Sequence, residues 1–196
     1  MIPDLSKNYW NNLYLNNEFK WDLGAISSPL KTYIEQLNNK DLKILIPGAG
    51  NSYEAEFLYR QGFKNVFVLD FAEEPLQNIK KRLPNFPQEQ LIKQDFFEHN
   101  GQYDLIIEQT FFCAINPSLR KKYTQHMKQL LKPDAKLVGL LFNDILNTDK
   151  PPFGGNKQEY QALFASLFSI KTMETAYNSV KPRENRELFV IFENKV

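Results

Sequence analysis

Two glycines and an aspartate in the first half of the chain are spaced as they would be in a nucleoside-binding site. Gly48 and Gly50 follow the apolar run "LKILIP", and Asp70 ends the next apolar run about twenty residues later. Glycine allows a sharp backbone turn and the close approach of a ligand. A carboxylate at the end of the following strand can accept hydrogen bonds from ribose hydroxyls. The spacing therefore favours binding of a nucleoside.

A third apolar run adds groups that suit adenine. Asp95 ends "QLIKQD", and Phe96 follows it directly. An acid can meet the edge of adenine, and an aromatic ring can pack against its face. Three successive strand ends with suitable groups favour nucleoside binding over the simpler alternative, in which the G-x-G is only a strand-to-helix turn.

The residues after the glycines bear on which nucleoside could bind. Tyr53 stands where the dinucleotide motif G-x-G-x-x-G has its third glycine, and Glu54 and Glu56 lie in the first turn of the predicted helix. A pyrophosphate needs an open helix N-terminus, and carboxylates there would repel it. A ligand without phosphate fits better. S-adenosylmethionine, an adenosine joined to a sulfonium and a zwitterionic amino acid, needs the ribose acid and an adenine slot but no anion cradle.

These residues must be positioned by short apolar runs that alternate with helical patterns along most of the chain. Such alternation predicts parallel strands joined by right-handed crossovers. The last two strands, "FSIKTMETAY" and "RELFVIFEN", have a link too short for a crossover helix, so they should pair antiparallel. We predict an α/β, Rossmann-like fold: a mostly parallel seven-stranded sheet with a C-terminal antiparallel strand, helices on both faces and an N-terminal helical cover. Ligands of such sheets bind at the carboxyl ends of the strands.

The bulk composition indicates one domain over residues 1–196, which we divide into a cover segment at 1–26 and a core at 27–196. Apolar residues make up 42% of the chain and aromatic residues 14%, which is not a disordered composition. The formal charge of +1 argues against a nucleic-acid partner, because such proteins usually carry a large or clustered positive excess. We expect a monomer, since no segment marks an interface.

Cysteine and histidine usage bears on redox state and metal binding. The single cysteine, Cys113, cannot form an internal disulfide and is typical of a reducing compartment. His99 and His126 lie far apart without cysteine neighbours, so we predict no metal site. The polar N-terminus has no signal-peptide core, and no apolar run approaches the roughly 20 residues of a membrane span. We therefore expect a cytoplasmic protein without a membrane partner.

Several segments from about Tyr9 to the C-terminus carry a resemblance to a known family. They are "YWNNLYLNNEFKWDLG", "IPGAGNSYEAEFL", "VFVLDFAEEPL", "KQDFFE", "YDLIIEQTFFCAINPSLRKKY", "LLKPD" and "PPFGG". The chain resembles the thiopurine S-methyltransferase family of class I S-adenosylmethionine-dependent enzymes, which includes the thiol and halide methyltransferases. "WDLG" and "FFCAI" look closest to the thiol/halide branch.

The resemblance implies cofactor contacts in the cover and at the strand ends. The cover positions are Trp10, Tyr14 and Trp21, and the strand-end positions are Gly48, Gly50, Asp70, Asp95, Phe96, Glu108 and Gln109. Several relatives have aspartate where this chain has Glu108, so the longer carboxylate could shift that wall. From the residues alone, the simpler role of Trp10 and Trp21 is to anchor the N-terminal segment on the core.

The resemblance also implies an acceptor site that includes Phe111, Phe153 and Arg120, the last matching an arginine that some members place near the active site. On their own, both phenylalanines could be core residues, and Arg120 could belong to a solvated helix face. Arg183 and Arg186, in the link between the last two strands, are interpreted first as surface charges. No residue is assigned as a catalytic acid or base.

The function that the resemblance implies is methyl transfer from S-adenosylmethionine to a small soft nucleophile, such as the sulfur of a thiol or thiopurine, or a halide. S-adenosylhomocysteine would be the product. Three alternatives stay open at this point: an O- or N-methyltransferase of a small molecule, an NAD-dependent oxidoreductase, and a binding domain without activity. The oxidoreductase stays open because the glycine turn and Asp70 fit both cofactors.

Overall fold

The apolar runs form one sheet within residues 2–195, which the computed structural model describes; Met1 and Val196, the ends of the predicted domain, lie outside the described residues. The strands are β1 (Lys43–Pro47), β2 (Asn65–Asp70), β3 (Leu91–Lys93), β4 (Tyr103–Gln109), β5 (Leu131–Phe142), β6 (Phe168–Thr175) and β7 (Glu187–Asn194). Over 2–195 the seven strands have the order β3-β2-β1-β4-β5-β7-β6. β7 runs antiparallel to β5 and β6, and the other pairs are parallel. The predicted sheet, with its reversed C-terminal strand, is confirmed.

Helices cover both faces of this sheet. On the faces lie α2 (Ser28–Glu35), α3 (Tyr53–Arg60), α4 (Glu73–Arg82), α5 (Arg120–Leu130) and α6 (Lys157–Phe164), whereas α1 (Lys7–Leu15) belongs to the cover segment. Successive residues of β1 point to opposite faces: Ile44 packs with the cluster under α2, α3 and α4, and Leu45 packs with the cluster under α5 and α6. Because both faces of the sheet are covered, side chains on both sides of the parallel strands are buried, and the sequences of these strands are continuous apolar runs.

The strand order places the predicted site residues together. The order reverses between β1 and β4: α3 leaves β1 toward one face, and α5 follows β4 on the other. Such a switch point opens a crevice at the carboxyl ends of the strands. The glycine turn, Asp70, Asp95 and the segment after Glu108 all follow strand ends on this edge.

The start of β5 differs from the expected one. The apolar run "KLVGLLF", which begins at Lys136, predicts a strand that Pro133 separates from the preceding helix, but β5 begins at Leu131 directly after the helix. Asp134 has a φ of 60°, and the pairing of β4 with β5 shifts register after Tyr103. This irregularity lets the chain pass from helix to strand without a separate loop.

The cover segment lies across the carboxyl edge of the sheet. Ser6 caps α1 by accepting a hydrogen bond from the Tyr9 N–H at 3.5 Å, and Asn11 Oδ1 accepts one from the Glu74 N–H at the start of α4 at 3.5 Å. Among the described residues, no helix has the length and apolar content needed to cross a membrane.

A buried arginine ties the cover segment to the last strand. Arg183 is 6% exposed; its Nη1 lies 3.1 Å from Glu187 Oε1, and its Nη2 donates to the Trp21 carbonyl oxygen at 2.6 Å. The interpretation of Arg183 as a surface charge is therefore wrong, because partners distant in sequence enclose it. Arg186 is exposed, as expected.

Candidate active site

The turn between β1 and α3 has a backbone that favours glycine. Gly48 and Gly50 have φ values of 54° and 52°, in the left-handed region that other residues enter at a cost. The Gly50 N–H donates to Asp70 Oδ2 at 3.2 Å. The turn and the acid that the sequence singled out are thus in direct contact.

Asp70 is largely enclosed by protein. It is 8% exposed, and its Oδ1 accepts a second hydrogen bond from the Ala72 N–H at 2.8 Å. Burial raises the pKa of this carboxyl from 3.8 to about 6, although the backbone N–H donors of Ala72, Gly50 and Phe71 oppose the shift. A group whose charge is this poorly solvated gains much from further hydrogen-bond donors, such as ribose hydroxyls.

Aromatic side chains lie directly over the two glycines. A methyl group on Gly48 would overlap the Phe111 ring, and one on Gly50 would lie 2.7 Å from Tyr14 Oη. The space beside the backbone therefore borders Phe111 on one side and the cover segment on the other. The Phe111 ring and Tyr14 occupy the space beside the two glycines, so a ligand can approach this backbone only if they move.

The three cover residues that the resemblance implicates form one aromatic cluster. The ring of Trp21 lies 5.6 Å from Trp10 and 5.9 Å from Tyr14, edge to face. Asp22 accepts a hydrogen bond from the Asn51 side chain in the glycine turn. The segment that carries the aromatic cluster is thus hydrogen-bonded to the glycine turn that it covers.

The adenine end of the predicted site opens into a cavity of about 690 Å³. It is bordered by Asp95, Phe71 and Asn116, and by residues 3–7 of the cover. Phe96 points away: it is 5% exposed and packs edge to face against Phe111 with the ring centroids 5.1 Å apart. Phe71 is the aromatic residue at the cavity, and its place directly after Asp70 is the signal that could have identified it.

Glu108 and Gln109 have different surroundings at the end of β4. Glu108 is 1% exposed, and its carboxylate accepts hydrogen bonds from the Phe111 and Phe112 N–H groups in the turn after β4 and from the Tyr123 hydroxyl in α5. Gln109 is half-buried, and its Oε1 is enclosed without a hydrogen-bond partner in residues 2–195. Gln109 is therefore the better candidate of the two for a ligand contact, because a buried amide oxygen is rarely left unpaired.

Arg120 and Phe153 lie beside a second cavity, of about 610 Å³, after β5. Arg120 is 5% exposed, not part of a solvated helix face. Its Nη1 lies 2.6 Å from Glu159 Oε1, and its Nη2 donates to the Gly154 carbonyl oxygen at 2.8 Å. These contacts hold the "PPFGG" loop. Of the residues predicted for the acceptor, only Phe111 lies at the glycine turn.

The start of α3 carries two acidic side chains where a phosphate would bind, one of which, Glu56, is paired with Arg60 and Arg82. Glu54 and Glu56 both lie in the first turn of α3, where the helix dipole would otherwise attract an anion. Glu54 is buried and accepts a hydrogen bond from the Ser27 N–H at 3.3 Å. In the described part of the chain, no group of three or more metal-ligating side chains forms a metal site.

The residues present fit an adenosyl ligand with an amino-acid tail. The glycine turn provides a backbone without side chains, Asp70 provides a poorly solvated carboxylate, and Gln109 provides an amide oxygen that has no partner within residues 2–195.

The crystal structure of 1,6-didemethyltoxoflavin-N1-methyltransferase from Burkholderia thailandensis, with bound S-adenosylhomocysteine, shares the fold with a TM-score of 0.75 at 15% identity, covering 98% of this chain and 88% of that one. The fold and site define a class I S-adenosylmethionine-dependent methyltransferase.

Sequence comparison identifies the family. The model of the thiopurine S-methyltransferase family matches residues 5–196, and the chain belongs to this family. It is 27% identical over 193 residues to "Probable thiol methyltransferase 2" of Arabidopsis thaliana, covering 95% of this chain and 85% of the relative. It is 25% identical over 185 residues to "Thiocyanate methyltransferase 1" of Brassica oleracea, covering 91% and 81%. The NAD-dependent oxidoreductase alternative is thereby set aside.

The raised pKa of Asp70 predicts how cofactor affinity varies with pH. Hydroxyl donors favour the ionised carboxylate, so binding releases a proton wherever the free protein holds one, below about pH 6. The Kd for S-adenosylhomocysteine should fall as pH rises from 5 to 7, approaching about tenfold per pH unit below 6, and then level off. Isothermal titration calorimetry across this range measures it. Glu108→Gln should keep the same profile, and a flat Kd from pH 5 to 7 would contradict the role given to Asp70.

Proposed function

We propose that this chain methylates the sulfur of a small thiol-type acceptor, and that thiopurine sulfur, thiocyanate or halide ions can serve as further soft nucleophiles. The observation that carries the proposal is the aromatic covering of the glycine turn, in which the Phe111 ring lies over Gly48 and Tyr14 Oη lies beside Gly50. No histidine lies in it: His99 and His126 pack beside Tyr103 and Phe96. The names of the thiol and thiocyanate methyltransferase relatives support the same acceptor class.

The cofactor contacts that we propose follow the contacts around the turn. Asp70 accepts hydrogen bonds from the ribose, and Asp95 with Phe71 borders the adenine. Gln109 Oε1 accepts a hydrogen bond at the amino-acid end, while Trp10, Tyr14 and Trp21 close over it. Because Tyr14 Oη already stands beside Gly50, the cover segment must shift to admit the cofactor.

The chemistry requires little of the protein beyond placement. When bound, S-adenosylmethionine supplies an electrophilic methyl carbon on a positively charged sulfur. Phe111 and the cover exclude water and align the acceptor, and such positioning can contribute about 7–11 kcal/mol. A free thiol has a pKa of about 8.5, so some thiolate exists at neutral pH without a dedicated base.

The chain's own thiol is kept out of the reaction. Cys113 is 7% exposed, and burial, with the Glu108 carboxylate nearby, raises its pKa from 9.0 to about 12. Its Sγ donates to the Thr110 carbonyl oxygen at 3.3 Å. The thiol therefore stays protonated at neutral pH and does not compete with the acceptor.

The setting of the protein is also a proposal. The free, buried Cys113 fits the reducing cytoplasm. The four exposed large apolar residues within 2–195, Leu15, Leu119, Ile145 and Tyr177, belong to separate segments rather than one element, which supports a monomer. The net charge of +1 favours a small-molecule acceptor over nucleic acid.

A screen with matched acceptors tests the proposed function. We expect methylation of thiophenol to exceed that of phenol by at least about 30-fold at pH 7.5, because even an alkyl thiol with a pKa near 8.5 exceeds a phenol with a pKa near 10 by that factor in ionised fraction, and an aryl thiol is more acidic still. Thiocyanate and iodide should also be methylated, whereas aniline should not. Transfer of labelled methyl from S-adenosylmethionine gives the rates. Faster methylation of phenol or aniline, or no methylation of any acceptor, would overturn the proposal.

A further inference from the structure

Glu108 is a buried carboxylate to which the proposed function assigns no contact with cofactor or acceptor. It is 1% exposed. Oε1 accepts hydrogen bonds from the backbone N–H groups of Phe111 and Phe112 at 2.8 and 2.9 Å, and Oε2 accepts one from the Tyr123 hydroxyl at 2.7 Å. A buried carboxylate needs such hydrogen bonds, because a buried charge without partners is strongly destabilising. Oε1 therefore holds the turn after β4, and Oε2 links that turn to α5.

The same turn fixes the ring that covers Gly48. Thr110, at the start of the turn, has a φ of 59°, and Phe111 follows it with its ring against Gly48. The centroid of the Tyr123 ring lies 5.9 Å from that of Phe111. Tyr123 thus contacts both the carboxylate and the ring, and Glu108 supports Phe111 through the backbone and through Tyr123.

We propose that Glu108 is a positioning residue for methyl transfer: the length of its side chain sets how far the Phe111 ring reaches over the glycine turn, and hence which acceptors fit between that ring and the cover segment. The inference rests on the proposed function and deepens it. Aspartate at this position would draw the turn back by up to one carbon–carbon bond, about 1.5 Å. The space between the Phe111 ring and the cover segment would widen, which favours a bulky acceptor and leaves a small one badly aligned.

Two substitutions separate side-chain length from charge. Glu108→Asp keeps the charge and shortens the side chain, whereas Glu108→Gln keeps the length and removes the charge. Burial raises the pKa of Glu108 from 4.5 to about 7, so an uncharged group of equal length is expected to be tolerated. In Glu108→Gln, the new amide oxygen can still accept both backbone hydrogen bonds, and the amide N–H can donate to the Tyr123 oxygen.

The first test measures kcat and KM for thiocyanate and thiophenol. Glu108→Asp should lower kcat for thiocyanate by up to about 100-fold, the effect of a misplacement near 1 Å, and lower it less for thiophenol. The Kd for S-adenosylhomocysteine should stay within about twofold. Glu108→Gln should keep the wild-type ratio of the two acceptors. An equal loss for both acceptors in Glu108→Asp, or the same change of ratio in Glu108→Gln, would overturn the proposal.

The second test asks whether the effect passes through Phe111. In a Phe111→Ala background, Glu108→Asp should no longer change the acceptor ratio, because coupled residues are non-additive; an undiminished change would contradict the proposal. The crystal structure of Glu108→Asp with S-adenosylhomocysteine should show the Phe111 ring displaced from Gly48. If the wild-type chain methylates neither acceptor, the proposed function fails, while the ring position still decides the role of Glu108: an unmoved ring would refute it.

Discussion

Replacing Asp70 with alanine is expected to raise the Kd for S-adenosylhomocysteine at least about 100-fold, which is the largest effect that we predict on cofactor binding. Each hydrogen bond to a charged acceptor contributes about 1.5–3 kcal/mol, and the ribose offers two hydroxyls. The variant also leaves the N–H groups of Gly50 and Ala72 without their acceptor. The turn would then keep only its backbone link to β2, from the Ala49 N–H to the Leu69 carbonyl oxygen at 3.3 Å.

Asp104→Ala is the matched control for this experiment. Asp104 is also an acid of the parallel strands, but it lies near the amino end of β4, where it pairs with Lys132 at 2.7 Å. Its replacement should leave the Kd within about twofold. Calorimetric titration of both variants gives the comparison, with circular dichroism to establish that each is folded. Similar Kd values for Asp70→Ala and the wild-type protein would exclude a ribose contact.

Replacing Arg183 with methionine is expected to lower the free energy of unfolding by about 3–5 kcal/mol, since it leaves a buried carboxylate uncompensated. That carboxylate belongs to Glu187, which is 3% exposed and, within residues 2–195, keeps only the Ser179 hydroxyl, 2.8 Å from Oε2, as a side-chain partner. The carbonyl of Trp21 also loses its donor. The cover segment should therefore become more accessible to proteases, in addition to the global loss of stability.

Arg186→Met provides the control, because Arg186 is exposed and pairs with Asp144 at the surface. Exposed pairs contribute about 0–1 kcal/mol. Urea unfolding followed by tryptophan fluorescence would report both variants, and limited proteolysis would report the cover. The double variant Arg183→Met/Glu187→Gln also removes the uncompensated Glu187 carboxylate, and it should recover part of the lost free energy of unfolding. Equal destabilisation by the two arginine variants would show that Arg183 is not held as described.

The strand ends could be predicted from the sequence because they depend on local pattern and topology. Apolar runs bounded by Gly48, Asp70 and Asp95 define where parallel strands stop, and the carboxyl ends of such strands meet at one edge. The contact between Gly50 and Asp70 follows from that register. Nothing beyond the pattern of the chain was needed to place them.

The orientation of individual side chains could not be predicted in the same way. Glu108 points into the protein because Tyr123, fifteen residues later, supplies a donor there. Phe96 turns to the core, and Phe71 takes the cavity instead. These choices depend on neighbours that the fold brings together, and no local period encodes them.

Arg183 shows the limit most clearly. It belongs to a polar link rich in charge, which is typical of exposed turns, yet its guanidinium meets a carbonyl 162 residues away. Its spacing to Glu187 would suggest a pair on a helix, but the link forms only a single short helical turn there. The burial of both residues arises from the docking of the cover segment.

The most direct test of the proposed site is a crystal structure of the protein with S-adenosylhomocysteine. The ribose hydroxyls should lie about 2.5–3.0 Å from the Asp70 oxygens, the adenine should enter the cavity beside Phe71 and Asp95, and the Tyr14 ring should have moved from Gly50. A ribose that contacts other residues, or a ligand bound in the cavity beside Arg120 and Phe153, would contradict the assignment.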